Sequence, residues 1–343
     1  MKILILGGTI FIGRHIAETA LARGHTVTIF NRGKQQSLNL DIEYLVGDRH
    51  TDINALQNRN WDVVIDTSGY VPSAVETTAK TFASNIDNYI YISSLSVYGA
   101  VTSSVDENTP VKELEKEKLA IAETLSGAES PTAFTYGQYY GPLKVNCEKI
   151  VQHYFPNRHL IARPGVVVGS YDYTNRLTYW IERLKNLQQF LAPNTPETPL
   201  RILDVNDLAD WLIKSAEQQR SGIYNLPGQD NVNFGKLFAV INQHLNKHAL
   251  PIWVGESYLL EAKVKPWLEI PLWLSSDLQG MLRIGDLKAI NSGFKYRPLI
   301  ETIANTTAWL ENNNPEYKIL TGMAFDLEEK ILEEYQLQKS ITL

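Results

Sequence analysis

Two short segments of the chain carry side chains that could move a proton. Tyr140 and Lys144 lie four residues apart in "YYGPLK", so on a helix their side chains share one face. A tyrosine phenol has a reference pKa of about 10, and a neighbouring ammonium favours the phenolate. Tyr140 could then act as a general acid or base, with Lys144 lowering its pKa. A tyrosine and a lysine at this spacing also occur by chance on helix surfaces, so the pair alone decides nothing.

Ser94 supplies the third member of this predicted catalytic set. It lies in "ISSLSVYG", directly after the predicted strand residues "NYIYIS". Its hydroxyl is therefore expected at the end of a strand. There the hydroxyl would hydrogen-bond the substrate oxygen that gains or loses a proton. The set becomes specific through its combination with a glycine-rich turn at the start of the chain.

That turn lies in "MKILILGGTIFIG", which predicts a strand, a tight turn and a helix. Gly7 and Gly13 occupy the outer glycine positions of a dinucleotide-binding turn, while Ile10 occupies the middle one. Gly8 and Thr9 still supply a slim backbone and a hydroxyl near the N-terminus of the predicted helix. The amides and the dipole of that helix end favour the binding of a phosphate group. A purely structural glycine turn is the alternative. The predicted cofactor contacts of this segment are Gly7, Gly8, Thr9, Ile10, Phe11, Ile12 and Gly13.

The second predicted strand ends in "FNRGK", where an NAD enzyme usually places an acidic residue for the ribose hydroxyls. Arg32, helped by Lys34, suits a ribose phosphate better, so NADP is favoured over the alternative, NAD. A solvent-exposed loop arginine is the competing interpretation. Asp48 could accept a hydrogen bond from the adenine amino group, and Lys144 would hold the nicotinamide ribose. The predicted contacts after the second, third and fourth strands are Asn31, Arg32, Lys34, Asp48, Arg49, Thr67, Ser68 and Gly69.

Strands that alternate with helices must position these residues. The alternation predicts an α/β fold with a Rossmann-type, doubly wound parallel sheet, whose carboxyl edge gathers the polar strand ends. Residues 1–164 plus about 201–228 are expected to form the dinucleotide-binding domain. Residues 165–200 and 229–343 are expected to form a smaller C-terminal α/β substrate lobe. The predicted sheet segments are "KILIL", "TVTIF", "EYLVG", "DVVIDTS", "NYIYISS", "HLIARPG", "RILDVNDLADWL" and "GIYNLPG".

Composition excludes several classes of protein. The 343 residues carry a net charge of −6, which disfavours nucleic-acid binding on electrostatic grounds. No apolar run approaches the roughly 18 residues of a membrane span, and the short apolar start lacks the features of a secretory signal, so a cytoplasmic protein is expected. The single Cys147 predicts a buried thiol without a disulfide. His244 and His248 lack a metal-binding motif, and no metal site is predicted.

Eight segments together resemble the extended short-chain dehydrogenase/reductase superfamily, the NAD-dependent epimerase/dehydratase family, over nearly the whole chain. The resemblance implies a Rossmann lobe with a smaller C-terminal lobe and a catalytic set of Ser94, Tyr140 and Lys144. It also implies that Arg163 and Pro164 lie near the nicotinamide. The matching segments are "GGTIFIG", "GDR", "ISSLSVYG", "YGPLK", "ARPGVVVG", "RILDVNDLA", "IYNLPG" and "INSGFKYRPLIETI".

Within that family, the chain resembles an atypical branch through the segments "GGTIFIG", "NRG" and "GDR". This branch contains bacterial epimerase-like reductases and the chloroplast stem-loop RNA-binding proteins. Val166 stands where nucleotide-sugar epimerases often carry Asn. Asp172 and Arg176 are either ligand contacts or a structural ion pair. The favoured function is an NAD(P)-dependent oxidoreductase or epimerase, a monomer or homodimer, acting on a small, polar, sugar-like substrate. The alternative is an RNA-binding or regulatory protein on a dehydrogenase fold.

Overall fold

The computed structural model describes residues 1–34, 38–101, 103–125, 133–313 and 321–342. The chain divides into two compact units. The first unit comprises Met1–Gly165, Val205–Pro227 and Arg283–Lys295, and the second comprises Val166–Asp204, Gly228–Leu282 and Tyr296–Leu343. In the part of the chain that the structure describes, no helix combines the length and apolar character that a membrane span requires.

The strands of the described residues are numbered in chain order through both units. They are β1 (Lys2–Leu6), β2 (Thr26–Asn31), β3 (Glu43–Val46), β4 (Val63–Asp66), β5 (Asn88–Ile92), β6 (His159–Pro164), β7 (Val166–Val168), β8 (Gln189–Pro193), β9 (Pro199–Leu200), β10 (Ile202–Asp204), β11 (Gly222–Leu226), β12 (Val232–Asn233) and β13 (Leu250–Val254).

The helices of the same residues are α1 (Phe11–Ala22), α2 (Pro72–Phe82), α3 (Lys116–Thr124), α4 (Ala133–Tyr136), α5 (Tyr140–Tyr154), α6 (Arg176–Asn186), α7 (Val205–Glu217), α8 (Phe234–Leu245), α9 (Glu256–Glu261), α10 (Leu287–Asn291), α11 (Leu299–Asn313) and α12 (Phe325–Thr342).

The first unit is built on a parallel sheet in the order β11-β6-β5-β4-β1-β2-β3. The central strands β1, β4 and β5 are almost entirely buried, as strands with helices on both faces must be. The strand order reverses between β1 and β4, and ligands bind at such a switch point in doubly wound sheets. The predicted α/β fold class is therefore confirmed.

Aromatic side chains fill the core of the first unit. Tyr89 of β5 stacks on Phe155 with ring centroids 4.8 Å apart, and Trp61 meets Phe82 edge to face at 5.8 Å. Both pairs belong to the apolar cluster that packs α2 and α5 onto the sheet. This packing fixes α5, the helix that begins with Tyr140.

Two segments differ from the sequence interpretation. "RILD" does not join the large sheet, because β10 pairs with β7 in the second unit, and only "GIYNL" adds a strand as β11. Residues 283–295 belong to the first unit rather than to the C-terminal lobe. Their contacts explain this placement, since Trp211 donates to Ser292 Oγ at 3.1 Å and Lys288 Nζ lies 4.6 Å from the Tyr224 ring centroid.

The second unit has short strand pairs and an aromatic core. Strands β7 and β10 pair in parallel, as do β8 and β13, whereas β9 and β12 are antiparallel. Trp180 of α6 is fully buried against Phe190, Phe234 and Phe238. Its indole Nε1 donates to Pro271 O at 2.9 Å, so this large core side chain is also hydrogen-bonded.

Candidate active site at the carboxyl edge of the sheet

The turn after β1 has room only for glycine at three positions. Gly7 and Gly8 have φ values of 101° and 87°, which side chains other than hydrogen rarely tolerate. A β-carbon on Gly13 would lie 2.5 Å from the Cα of Gly8. The first turn of α1 therefore rests directly on the glycine pair.

Ile10 is compatible with this turn because its backbone is extended, with φ −121° and ψ 155°. Its side chain is 45% exposed and does not fill the turn. Ile10, the residue at the N-cap of α1, makes no capping hydrogen bond through its side chain. The amides of Phe11, Ile12 and Gly13 thus form, with Thr9 beside them, the kind of cradle that suits a phosphate group. The turn thus keeps its backbone path with Ile10 in place of the middle glycine.

Arg32 and Lys34 follow the carboxyl end of β2, and both are exposed. The side chain of Asn31 holds the turn between them, because its Oδ1 accepts a hydrogen bond from Gly33 N at 2.8 Å. The structure thus places two cations in the position where the sequence predicts a contact with the adenosine ribose.

Arg49 has a different place from the one the sequence predicts. Its guanidinium is buried and donates to both carboxylate oxygens of Asp66, at 2.8 and 2.7 Å, and to Thr78 Oγ1 at 2.8 Å. Burial raises the pKa of Asp66, but the Arg49 guanidinium outweighs it and holds that pKa below its usual value. The side chain of Arg49 therefore belongs to a buried ion pair, while Asp48 accepts from His50 N at 2.9 Å.

The segment after β4 is tied to the glycine turn. The hydroxyls of Thr67 and Ser68 both donate to Leu6 O, at 2.9 and 3.2 Å. Gly69 follows, and its carbonyl accepts from Lys144 Nζ at 2.8 Å. These bonds bring the predicted cofactor segments of β1 and β4 together at the switch point of the sheet.

Ser94 begins a 3-10 turn over Leu95–Tyr98. Its Oγ accepts from Ser96 N and donates to Ser96 Oγ, both at 3.1 Å. Helix α5 touches this turn, because a β-carbon on Gly141 would overlap the carbonyl oxygen of Ser96. The half-buried Ser94 and Tyr140 therefore lie on neighbouring segments.

Lys144 is buried beneath this pair of segments, with 3% of its surface exposed. Its ammonium donates to Gly69 O and Ile92 O, both at 2.8 Å, and lies 5.8 Å from the Tyr140 ring centroid. Within the described residues, two of the three N–H groups are thus used. Burial is the main cause that lowers the Lys144 pKa from 10.5 to about 8. The structure brings Lys144 and Tyr140 together as their spacing predicts.

Arg163 is also held by the protein itself. Its guanidinium forms a buried pair with the two carboxylate oxygens of Glu148, at 2.9 and 2.6 Å, and donates to Tyr98 Oη at 2.6 Å. Ser93 Oγ donates to the same carboxylate at 2.5 Å. Pro164 ends the strand after Arg163. The side chain of Arg163 thus supports the serine turn from inside the unit.

Sequence reasoning missed the two carboxylates that bind these arginines. Asp66 ends the apolar run "VVID", and Glu148 lies in "VNCEKIV" on a largely buried helix face. An acidic residue at an apolar position was the available signal, since buried charges must be paired.

Cys147 is fully buried, and burial raises the pKa of its thiol to about 12.

In the second unit, Asp172 folds the turn before α6. Its Oδ1 accepts from Thr174 N and Thr174 Oγ1, at 2.9 and 2.5 Å, and burial raises the pKa of the carboxyl. The Arg176 guanidinium lies 4.9 Å from the ring centroid of Trp267. Val166, three residues after Arg163, is the half-buried first residue of β7.

A family model for the NAD dependent epimerase/dehydratase family matches residues 3–226. The glycine turn, the parallel sheet and the serine, tyrosine and lysine segments all fall within this range. The chain therefore belongs to the NAD dependent epimerase/dehydratase family. This confirms the predicted class, that of NAD-dependent proteins of the short-chain dehydrogenase/reductase type.

Two curated relatives are similar over much of the chain. The chloroplast stem-loop binding protein of 41 kDa b from Arabidopsis thaliana is 27% identical over 255 residues, which cover 69% of this chain and 61% of that protein. The phenylcoumaran benzylic ether reductase TP7 from Nicotiana tabacum is 21% identical over 76% of this chain and 80% of that protein. The chain thus matches less than two thirds of the first relative's length.

Solved structures share the fold at lower identity. The dTDP-glucose 4,6-dehydratase from Bacillus anthracis, in complex with NAD, has a TM-score of 0.65 at 15% identity and covers 94% of this chain and 100% of its own. The UDP-glucuronic acid 4-epimerase from Bacillus cereus, in complex with NAD, has a TM-score of 0.65 at 14% identity and covers 91% and 99%. Both likenesses show the Rossmann-type fold.

Proposed function

We propose that the chain is an NAD(P)-dependent oxidoreductase or epimerase that acts on a small, polar, sugar-like substrate. The observation that carries this proposal is the placement of Lys144. Its ammonium is fixed by two backbone carbonyls, 5.8 Å from the Tyr140 ring centroid. Helix α5, which carries both residues, touches the turn that begins at Ser94.

The residues at the switch point fit a dinucleotide. The uncapped N-terminus of α1 and the glycine turn offer backbone amides to phosphate groups. The remaining N–H of Lys144 suits a ribose hydroxyl. When bound, the nicotinamide ring would give or take the hydride, which is chemistry that no side chain of the chain supplies.

The side chains would manage the proton and the substrate oxygen. Tyr140 gives or takes the proton through its hydroxyl, and the positive charge of Lys144 favours the phenolate form. Ser94 donates to the substrate oxygen after its O–H rotates away from Ser96 Oγ, which a serine hydroxyl does freely.

We propose further that NADP is the preferred cofactor and NAD the weaker one. Support comes from Arg32 and Lys34, two exposed cations after β2 where a ribose phosphate would lie. A guanidinium fork binds a phosphate through two parallel hydrogen bonds, which neutral ribose hydroxyls do not match.

A fluorescence titration with NADPH and NADH tests both parts of this proposal. We expect tighter binding of NADPH by the wild type, and a selective loss of NADPH affinity in Arg32→Ala. Arg23→Ala is the matched control, because Arg23 lies at the far end of α1 and binds Glu217 at 2.6 Å. Failure to bind either nucleotide contradicts the function. Equal affinities that Arg32→Ala leaves unchanged contradict only the choice of NADP.

The proposed substrate class is supported by the same site and by the names of two similar structures. Two similar structures are named as enzymes of nucleotide sugars, and Ser94 with Tyr140 suits a substrate hydroxyl or carbonyl. A screen of nucleotide sugars and simple aldoses identifies the substrate, with NADP-dependent absorbance change as the readout for net oxidation or reduction and proton NMR of the sugar as the readout for epimerisation, which leaves the cofactor unchanged overall. Turnover of an apolar ketone in preference to every sugar would contradict the proposed class.

Binding of a stem-loop RNA is the second candidate, because one similar protein is named for that activity. The net charge of −6 opposes it, since phosphate contacts need local positive charge and weaken steeply with salt. Tight binding of a stem-loop at about 150 mM salt would favour this alternative. We expect weak binding under those conditions.

A further inference from the structure

The ammonium of Lys144 is surrounded by carbonyls and aromatic faces. Its Nζ lies 4.8 Å from the ring centroid of Tyr91 and 5.1 Å from that of Tyr70. Among the described residues, no carboxylate lies within ion-pair distance of this buried cation. Ring faces carry negative potential and stabilise a desolvated cation. The position of Lys144 therefore depends on what holds these rings and carbonyls.

Tyr91 acts on one of those carbonyls directly. Its hydroxyl donates to Gly69 O at 2.7 Å, the same oxygen that accepts from Lys144 Nζ at 2.8 Å. A β-carbon on Gly69 would lie 2.7 Å from Cε2 of Tyr91, so the backbone at Gly69 rests on the Tyr91 ring. One tyrosine thus touches both the ammonium and its acceptor.

Tyr91 keeps its proton in this environment. The side chain is fully buried on β5, and burial raises its pKa well above the usual value for tyrosine. The neighbouring Cys147 thiol adds to this effect of burial on the Tyr91 pKa. The hydroxyl therefore remains a neutral donor to Gly69 O across the pH range in which enzymes usually work.

We propose that Tyr91 is a positioning residue for Lys144. Its hydroxyl holds the Gly69 carbonyl in place, and this carbonyl accepts a hydrogen bond from the Lys144 ammonium. The ring face of Tyr91 stabilises the same ammonium. Tyr91 itself is buried in the core of the first unit and acts on the reaction through Lys144 alone. The catalytic meaning of this role rests on the proposed function, but the effect on Lys144 exists without any ligand.

Nuclear magnetic resonance of the full chain, labelled with ¹³C at the lysine Cε, measures Lys144 directly. The Lys144 signal is assigned by its loss in Lys144→Met. In Tyr91→Leu, which removes the ring, we expect the Lys144 titration midpoint to fall by roughly half a pH unit or more. In Tyr91→Phe, which keeps the ring, we expect a smaller change in the midpoint and greater mobility of the Lys144 side chain in relaxation measurements.

Tyr89→Phe is the matched control. Tyr89 is equally buried on the same strand, but its hydroxyl donates to Asp66 Oδ2 at 2.9 Å instead of to Gly69. We expect Lys144 mobility to stay as in the wild type in this variant. The charged or titratable side chains that act on Lys144 are unchanged in every Tyr91 variant: Cys147, Asp66, Arg49 and Glu148.

A second measurement uses NADH as the probe. We expect its dissociation constant to rise roughly three- to tenfold in Tyr91→Phe and to stay within about twofold in Tyr89→Phe. Wild-type Lys144 mobility in Tyr91→Phe overturns the proposal, whether or not Tyr91→Leu folds. Altered mobility in a protein whose wild type binds no nucleotide supports the role of Tyr91 and contradicts the proposed function instead.

Discussion

Gly141 of α5 and the carbonyl oxygen of Ser96 are in direct contact, with no space for a β-carbon between them. This contact sets how closely the helix that begins with Tyr140 approaches the turn that begins at Ser94. Two residues far apart in the sequence thereby reach one site through a third residue that has no side chain.

Gly141→Ala should therefore separate the helix from the serine turn. Because the clash is with backbone, we expect a loss of about 1–3 kcal/mol in the free energy of unfolding and a larger proportional loss of turnover. Urea unfolding and a rate assay measure the two effects. Gly285→Ala is the control, since its β-carbon would meet only Val105 O at an ordinary 3.5 Å. A Gly141→Ala protein with wild-type stability and rate would contradict this role of the contact.

Tyr140→Phe should separate chemistry from binding. The change removes one hydroxyl from a half-buried side chain, so we expect the fold and the nucleotide affinity to remain nearly intact. Turnover should fall on the order of a hundredfold to ten-thousandfold, the usual contribution of a positioned general acid or base. Lys144→Ala should weaken nucleotide binding as well. Undiminished turnover in Tyr140→Phe would show that another group moves the proton.

Stability should rise with pH above about pH 8 because of Lys144. Burial lowers its pKa from 10.5 to about 8, so between these values the unfolded chain binds more protons than the folded one. Below about pH 8 both states are protonated and the full cost of burial is present. Relative to Lys144→Met, the wild type should gain roughly 3 kcal/mol across this window.

Urea unfolding at a series of pH values measures that gain. Lys247→Met is the control, because it makes the same side-chain change at an exposed position. Parallel curves for the wild type and Lys144→Met would show that Lys144 does not titrate in the folded protein above pH 8.

Glu148→Gln should destabilise the protein without selectively removing nucleotide binding. It leaves the Arg163 guanidinium buried and without its charged partner, which costs about 3–5 kcal/mol. The control is Glu18→Gln, which breaks a partly exposed pair with Arg14 and should cost well under 1 kcal/mol. Loss of NADPH binding in Glu148→Gln at unchanged stability would instead indicate that this pair serves the cofactor.

The sequence determined the local elements of the site. The glycine turn, the strand before Ser94 and the one-face spacing of Tyr140 and Lys144 each depend on residues a few positions apart. Their geometry follows from the periods of strand and helix and from the backbone freedom of glycine. Even the departure at Ile10 needed only its own extended backbone to be accommodated.

Only the tertiary structure decided which charged side chains form ion pairs within the protein. Arg49 and Arg163 both lie near predicted cofactor segments. Yet Arg49 is bound by Asp66, 17 residues away, and Arg163 is bound by Glu148, 15 residues away. Such pairs depend on which strands and helices lie side by side and on how deeply they are buried. Because a buried charge is costly until it is paired, packing rather than spacing fixed the roles of both arginines.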